Sequence, residues 1–197
     1  MNTAKCISSI PTSSSAGSRF ARNRPKALEL FAQRGFAQVS LRELARHLEL
    51  TAGSLYSHCA SKEELLLEFI EEHYLALLSL FDRRYRRECP RATLQAVIQG
   101  LVFRYTAHPQ HFQLATRDIV FLSAEQRQYI DLLREQLRQR LDASLGAAGF
   151  AHPVPAEIPI LELFEHLPLW LASHAMNEEQ RVERLMQLLT APLSRGT

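Results

Sequence analysis

Histidine and cysteine offer the most specific chemistry in this chain, yet their spacing matches no common reactive site. Cys89, His108 and His111 lack the tight ligand spacing of a zinc site. No glutamate is followed by a histidine three residues later, as a di-iron helical bundle would require. The three cysteines are odd in number and include no C-x-x-C pair, which argues against a disulfide framework and favours a reducing cytoplasm. We therefore expect neither a metal nor another cofactor.

Basic side chains concentrate at the start of the chain. The first 60 residues carry eight Lys or Arg and three acidic residues, a formal charge of +5, whereas the remainder carries −3. This asymmetry favours a polyanion as partner of the basic segment. No apolar run approaches the ~20 residues of a membrane-spanning helix. Residues 1–18 are Ser-rich and lack the apolar core of a signal peptide. We expect a flexible tail there, no membrane contact and a cytoplasmic location.

Helical periodicity dominates from about Pro25 onward, without the alternation typical of strands. Pro25 suits the first turn of a helix, and Gly35 suits the position after its end. Ser40 and Glu43 have the spacing of a capping box at the start of a second helix. Thr51 can cap a short third helix that carries Leu55 and Tyr56 inward, after a tight turn.

A long fourth helix and a helical body should follow. Ser61 can cap the fourth helix, which we predict to run to about Arg87 on the stripe Leu66, Phe69, Ile70, Tyr74, Leu77 and Phe81. Further helices are predicted over 91–107, around Phe112, and over 123–145, 160–175 and 178–189. The third of these has the stripe Tyr129, Leu133, Leu137 and Leu141. We predict an all-α chain of about nine helices, with a tail (1–18), a head (19–65) and a body (66–197).

The first three helices form a helix-turn-helix pattern. Such a unit lays its third helix in the major groove of DNA, where residues at the N-terminal end of that helix reach base edges. The exposed face of the third helix here would comprise Thr51, Ala52, Ser54, Ser57 and His58. Gly53 would allow the backbone to approach a phosphate closely.

The stretch ALELFAQRGFAQVSLRELARHLELTAGSLYSHCASKEELL resembles the DNA-binding head of TetR-family regulators. The resemblance is strong over 25–69, and the rest is similar only in the number and order of its helices. It implies a homodimer that binds a near-palindromic double-stranded operator. It further implies that a small-molecule effector in the body releases the operator, with repression favoured over activation by the resemblance alone.

Site residues in the head follow from the resemblance, position by position. It implies that the recognition helix opens with Thr51, Ala52, Gly53 and Ser54. It implies phosphate contacts from Tyr56, His58 and Lys62, and places Ser40 and Arg42 beside the DNA backbone.

Three positions depart from the family pattern. Glu49 stands where Gly is usual and would need a left-handed backbone. Ala52 replaces a frequent Lys or Arg, and Cys59 replaces an aromatic residue.

Several residues of the head allow two interpretations. His58 could be buried structure, although its place before Ser61-Lys62 favours a phosphate contact. Tyr56 should place its ring in the core and its hydroxyl toward DNA. Cys59 could be a redox-sensitive thiol near a helix N-terminus, but a small core residue is the simpler interpretation.

The body should bind the effector and the second subunit. We predict a ligand cavity lined by Phe103, Phe112, Phe121, His166 and Trp170. We predict a dimer interface on the last two helices, formed by Leu161, Phe164, Leu167, Leu171, Val182, Leu185, Met186 and Leu189. An enzyme or adaptor built on a helical bundle is the alternative. It has no need of Tyr56, His58 and Lys62 around a short helix, so we predict that the chain is not an enzyme.

Overall fold

A computed structural model describes residues 15–82, 89–150, 165 and 176–190. Within these ranges the chain is helical and contains no strand, which confirms the all-α prediction. The α-helices are α1 (Ser15–Arg34), α2 (Leu41–His47), α3 (Ala52–Tyr56), α4 (Lys62–Leu78), α5 (Pro90–Ala107), α6 (Pro109–Gln113), α7 (Ala124–Ala147) and α8 (Glu178–Thr190). None of the described helices is long and apolar enough to cross a membrane. The predicted helix over 160–175 lies outside the described residues, apart from 165.

Helix α1 begins at Ser15, so the predicted start at Pro25 was wrong and residues 15–18 belong to a helix. Pro25 lies inside α1, where its missing N–H and its ring disfavour a continuous helix by about 3 kcal/mol. Contacts made by the first half of α1 offset this penalty. The Asn23 side chain donates to the carbonyl of Leu48 at 2.9 Å, and Phe20 is buried. These tertiary contacts override the local preference of proline.

The three predicted N-caps are formed. Ser40, Thr51 and Ser61 each accept a hydrogen bond from the backbone N–H three residues on, at 3.2, 3.1 and 3.0 Å. The capping box predicted at Ser40 is only half formed, because the Glu43 carboxylate forms an ion pair with Arg34 instead. That pair connects the end of α1 to α2.

Helix α4 is shorter than predicted, ending at Leu78 and continuing as a 3-10 turn over Ser79–Phe81. The turn places Leu80 against Gly100 of α5. A Cβ atom at position 100 would lie 2.6 Å from Leu80 Cδ2, so a larger residue there would require the leucine side chain to shift. The rest of the predicted extension toward Arg87 lies outside the described residues.

Helix α7 matches its predicted position and packs on α4 and α5. Leu133, Leu137 and Leu141 are buried, as predicted. Tyr129 is exposed, which contradicts the predicted stripe, and Ile130 takes the core position instead. The spacing of Ile130 to the three leucines follows the 3.6-residue helical repeat, whereas Tyr129 points outward and hydrogen-bonds a glutamate of α4.

Candidate nucleic-acid interface and ligand cavity

The turn between α2 and α3 has a left-handed residue, as predicted. Glu49 has φ 56°, a conformation that is unfavourable by about 1–2 kcal/mol for a residue with a Cβ. Leu50 N–H donates to the Ala45 carbonyl at 2.9 Å, which ends α2 and directs the chain into α3. Leu48 is buried beneath the turn. The helix-turn-helix geometry is therefore built without the usual glycine.

The outer face of α3 is made of small side chains. Thr51, Ala52, Gly53 and Ser57 are exposed and Ser54 is half-buried, while Leu55 anchors the helix in the core. Small residues let a helix backbone come close to another surface. Ser40 and Arg42 are exposed at the start of α2, on the helix before the turn.

Tyr56 does not place its ring in the core, so that prediction was wrong. Its side chain is 55% exposed at the end of α3. Consecutive residues of an α-helix differ by about 100° in direction, and Leu55 already occupies the inward direction. Both the ring and the hydroxyl of Tyr56 are available to a partner.

The ammonium group of Lys62 is engaged within the head. Lys62 Nζ donates to the carbonyls of Phe36 and Val39 at 2.9 and 3.0 Å, and it lies 4.1 Å from the centre of the Phe36 ring. These two carbonyls lie at the start and just after the end of a 3-10 turn, Phe36–Gln38, between α1 and α2. An ammonium has three donors, so two of them hold the head together and one is left. No local pattern in the sequence indicates this contact between distant residues.

His58 packs against α1 through its ring. The ring lies 4.8 Å from that of Phe20 at an interplanar angle of 9°, a stacked arrangement. His58 is half-buried, and its Nε2 atom has no hydrogen-bond partner within the described part of the chain. The structure thus gives His58 a packing role.

Cys59 is a core residue. Its side chain is 3% exposed, and burial is the largest of the causes that raise the pKa of its thiol, followed by the charges of Glu68 and Glu64. A raised pKa disfavours the reactive thiolate. The simpler of the two interpretations is therefore confirmed.

A small cavity of about 30 Å³ lies between α4, α5, α6 and α7. Its lining is apolar except for one histidine and one glutamate: His73, Leu77, Leu80, Phe81, Val97, Leu101, Phe112, Leu137, Leu141 and Glu165. Of the predicted ligand-binding residues, Phe112 lines it. His166 and Trp170 lie outside the described residues.

Two other predicted cavity residues lie elsewhere. Phe103 is 59% exposed and borders a separate open groove of about 720 Å³ between α5 and α8, because it lies on the outer side of α5. Phe121 is exposed and packs against Phe36 of the head, with ring centres 5.3 Å apart. Aromatic residue type alone was a poor guide to which of them face the cavity.

Polar residues of the cavity were not predicted from the sequence. His73 is 1% exposed, and burial, with His111 and Arg104, lowers its pKa to about 3. Its Nδ1 atom has no hydrogen-bond partner among the described residues. The signal in the sequence was a histidine at a position of α4 that faces the core.

The carboxylate of Glu165 is hydrogen-bonded beside the cavity. Its carboxylate accepts from the Tyr74 hydroxyl at 2.7 Å and from Arg134 at 2.9 and 2.7 Å. Burial and the neighbouring Glu165 raise the pKa of Tyr74, so its hydroxyl stays protonated and donates. The negative charge of Glu165 is thus balanced by Arg134.

Arg117 joins the body to the head. The segment Leu114–Asp118, directly after α6, is a π-helical turn. From it the Arg117 guanidinium donates to the carbonyls of Phe31 and Ala32 near the end of α1, at 2.9 and 3.1 Å. The same guanidinium holds the buried Asp118 through two hydrogen bonds of 2.9 and 2.7 Å. The sequence did not indicate this link.

The predicted dimer residues are only partly described. Val182, Leu185 and Leu189 are buried in their own chain, where α8 packs on α5, so they cannot form the surface presented to a partner. Met186 is half-buried. Leu161, Phe164, Leu167 and Leu171 lie outside the described residues.

Comparison with known families agrees with the geometry of the head. Residues 26–69 match the model of the bacterial regulatory proteins of the tetR family. The uncharacterised HTH-type transcriptional regulator YuxN of Bacillus subtilis strain 168 is 24% identical over 139 residues, which cover 68% of this chain and 48% of YuxN. The chain thus spans about half the length of this relative.

Solved structures extend the similarity of fold to the body. The TetR-family regulator PfmR of Thermus thermophilus has a TM-score of 0.71 and 23% identity, over 88% of this chain and 100% of its own. A tetR-family protein from Rhodococcus RHA1 has a TM-score of 0.73 and 22% identity, over 91% and 100%. AibR, in complex with isovaleryl coenzyme A and operator DNA, has a TM-score of 0.70 and 20% identity, over 89% and 100%.

Proposed function

We propose that the chain, whose residues 26–69 match the model of the tetR family of bacterial regulatory proteins, is a homodimeric, cytoplasmic repressor of transcription. In this proposal it binds a near-palindromic DNA operator and leaves it when a small molecule enters the body. The observation that carries the proposal is the α2–turn–α3 unit, in which Leu55 is buried and the small residues of α3 face outward. Its relatives are regulators rather than enzymes.

The proposed DNA contacts divide into two groups. Thr51 and Ser54, with Ala52 and Gly53, lie at the N-terminal end of α3, which would enter the major groove and read base edges. Arg42, Ser40, Ser57 and Tyr56 are placed around it to contact phosphates, which position the protein without reading sequence. The exposure of Arg42 and Tyr56 supports this assignment.

His58 and Lys62 are assigned a mixed role. Each makes an internal contact, His58 with Phe20 and Lys62 with the carbonyls before α2. Lys62 also keeps one donor for a phosphate. We expect their main contribution to be the placement of α3 against α1.

A route from the body to the head supports release by an effector. Phe112 lines the cavity on α6, and the π-helical turn that follows α6 holds α1 through Arg117. An effector changes DNA affinity only if it binds the free and DNA-bound conformations unequally. Movement of α6 would change the position of α1, and with it the head. AibR, whose fold is similar, was solved with both a coenzyme A thioester and operator DNA.

Dimerisation is proposed through the residues of the helix predicted over 160–175 and the outer side of α8. Because Val182, Leu185 and Leu189 are buried, the α8 contribution is reduced to residues such as Met186. A two-fold dimer should require two half-sites about 34–36 Å apart, roughly one turn of DNA.

The test is to select genomic fragments with the purified protein and to measure affinity for them at several salt concentrations. Each phosphate neutralised by a cation contributes about 0.9 to the slope of log affinity against log salt. Arg42→Ala should weaken binding to all sequences and reduce the slope by about 1.8 for a dimer. Arg140→Ala, which removes an exposed arginine from α7, is the matched control and should leave the slope unchanged.

Two further variants separate positioning from sequence reading. Tyr56→Phe should weaken binding modestly at an unchanged slope, because it removes a neutral hydroxyl. Thr51→Ala should change which fragments are selected, because it alters the groove face of α3. If the protein binds no fragment in a salt-dependent manner, or if Arg42→Ala and Arg140→Ala behave alike, the proposal fails.

A further inference from the structure

Among the described residues that line the cavity beneath α6, one has a buried polar atom without a partner. His73 Nδ1 is buried, and no described residue forms a hydrogen bond with it. The rings of Phe112 and Tyr74 pack edge-on against the imidazole, with their centres 4.3 and 5.1 Å from the centre of the imidazole ring. A buried polar group left unpaired destabilises a protein by about 1–3 kcal/mol. Because His73 lines the cavity, its unpaired atom could bind a group that is not part of the chain.

The other polar group among the described lining residues is already paired. Both oxygens of Glu165 already accept hydrogen bonds, from Tyr74 and Arg134, and the guanidinium balances the carboxylate charge. A ligand carboxylate would lie near Glu165 without a cation of its own. A ligand cation would find only the neutral His73, because burial lowers the pKa of the imidazole. Burial of an uncompensated charge is strongly unfavourable, so the cavity selects against ions of either sign.

The geometry points to the class of effector, in a proposal that rests on the proposed ligand-released function: a small uncharged alcohol or phenol whose hydroxyl hydrogen-bonds Nδ1 of His73. A hydroxyl fits better than a carbonyl because it can both donate and accept, and so pairs with either tautomer of a neutral imidazole. The apolar part of the ligand would contact Leu77, Leu101 and Phe112, which line the same space.

Because the cavity is small, a ligand can bind in it only if the surrounding residues move. Its volume of about 30 Å³ is room for about two water molecules, far less than the ~150 Å³ of an engineered cavity that binds benzene. A phenol must therefore displace a wall residue. Phe112 packs directly on His73 and lies on α6, five residues before Arg117 in the π-helical turn. Ligand entry would thus act on the link between body and head.

The experiment uses three probes with one ring each and different substituents. Phenol carries the hydroxyl, toluene replaces it by a methyl group of similar size, and benzoate carries a charge. We expect the full-length protein to bind phenol at least about tenfold more tightly than toluene in calorimetric titrations, the ratio that one satisfied buried hydrogen bond provides. Benzoate should not bind.

Substitution of the histidine tests the assignment directly. His73→Phe should reduce the ratio of phenol to toluene affinity to about one, because the polar partner is gone. His108→Phe makes the same chemical change at an exposed histidine outside the cavity and should keep the ratio of the unmodified protein. In protein with ¹⁵N-labelled histidine, phenol but not toluene should shift the His73 Nδ1 resonance, a result that does not depend on folding of a variant.

Three results would overturn the assignment: equal affinity for toluene and phenol, tighter binding of benzoate, or no binding of any probe with only water in the cavity. Preservation of the phenol preference in His73→Phe would also overturn it. All of these measurements are made without DNA. Their failure would therefore leave the proposed DNA binding intact, whereas a lack of DNA binding would not affect the phenol titrations.

Discussion

The head and the body each bury a histidine nitrogen without a partner among the described residues, but in different surroundings. His58 stacks on Phe20 and is half-buried at the end of α3, close to the proposed DNA surface. His73 is enclosed by α4, α6 and α7 and is 1% exposed. His58 directly follows Tyr56 and Ser57, which are exposed and are proposed to contact DNA. His73 can be reached only by a molecule that enters the cavity.

The polar side chains of the head and of the body also differ in what they contact. In the head, polar side chains mainly fix geometry, as Lys62 does for the carbonyls before α2. In the body, the polar network around Glu165 is complete and His73 is left out of it. The polar contacts of the head are therefore formed within the chain, whereas the cavity is small and would have to change shape to receive a ligand.

The largest effect that tests this contrast is expected in acid. The pKa of His73 is lowered from 6.5 to about 3 in the folded chain by burial and by the nearby His111 and Arg104. Between these values the unfolded chain binds a proton that the folded chain does not. Stability is therefore lost as pH falls from about 6.5 toward 3, by up to about 1.4 kcal/mol per pH unit.

His73→Phe should remove this component, so that the free energy of unfolding falls less steeply between about pH 6 and 4, by about 1.4 kcal/mol per unit. Denaturant titrations at several pH values measure it. Leu77→Phe adds a ring to the same cavity without a titratable group and should keep the slope of the unmodified protein. An unchanged slope in His73→Phe would mean that the histidine is not held neutral, and the contrast with the head would fail.

A feature could be predicted from the sequence when the residues that form it are close together along the chain. The caps at Ser40, Thr51 and Ser61 and the left-handed Glu49 depend on neighbours within a few residues, and all were predicted correctly. Lys62 bonds carbonyls 26 and 23 residues away, and no local pattern indicates such a contact. The same holds for the start of α1, which distant partners stabilise against its proline.

In the body, helix positions were predictable but the direction of single side chains was not. Helix α7 starts at its predicted cap, yet Tyr129, one residue from Ile130, was placed on the wrong face. Phe103, Phe112 and Phe121 have the same side chain, and of these three Phe112 alone lines the cavity. The π-helical turn and the bonds from Arg117 to α1 join residues 85 and 86 positions apart. Such links depend on the packing of helices, which periodicity does not determine.

The next largest effect is expected at the joint between body and head, which is the pair of hydrogen bonds from Arg117 to α1. Arg117→Ala removes the only partner that the described residues give the buried Asp118 carboxylate, as well as two bonds to α1. Removal of one partner of a buried ion pair destabilises a folded protein by about 3–5 kcal/mol. We expect about 3 kcal/mol in chemical denaturation, the lower end of that range, because the Arg117 side chain is 39% exposed.

The double variant Arg117→Ala with Asp118→Asn is the matched control, because it removes the link without leaving a buried charge. It should recover part of the lost stability and still bind DNA. A probe such as phenol should then bind the double variant without changing its DNA affinity. If phenol still weakens DNA binding in the double variant, the two regions communicate by another route and the joint is not at Arg117.

The smallest effect is expected at Glu49, a strained residue of the head that is not among the proposed DNA contacts. Glu49→Gly should stabilise the chain by about 1 kcal/mol, because glycine adopts φ near 56° without the Cβ clash and loses only part of that gain to its greater freedom when unfolded. The ion pair with Lys26 is 3.9 Å long and exposed, so its loss subtracts little. Glu49→Ala is the matched control: it removes the same carboxylate but keeps the Cβ, and it should not stabilise. Thermal unfolding of the three proteins measures the difference, and the DNA fragments selected should be the same for all of them. Stabilisation by both variants would assign the effect to the charge, whereas a change in the selected fragments would mean that the turn itself takes part in reading DNA.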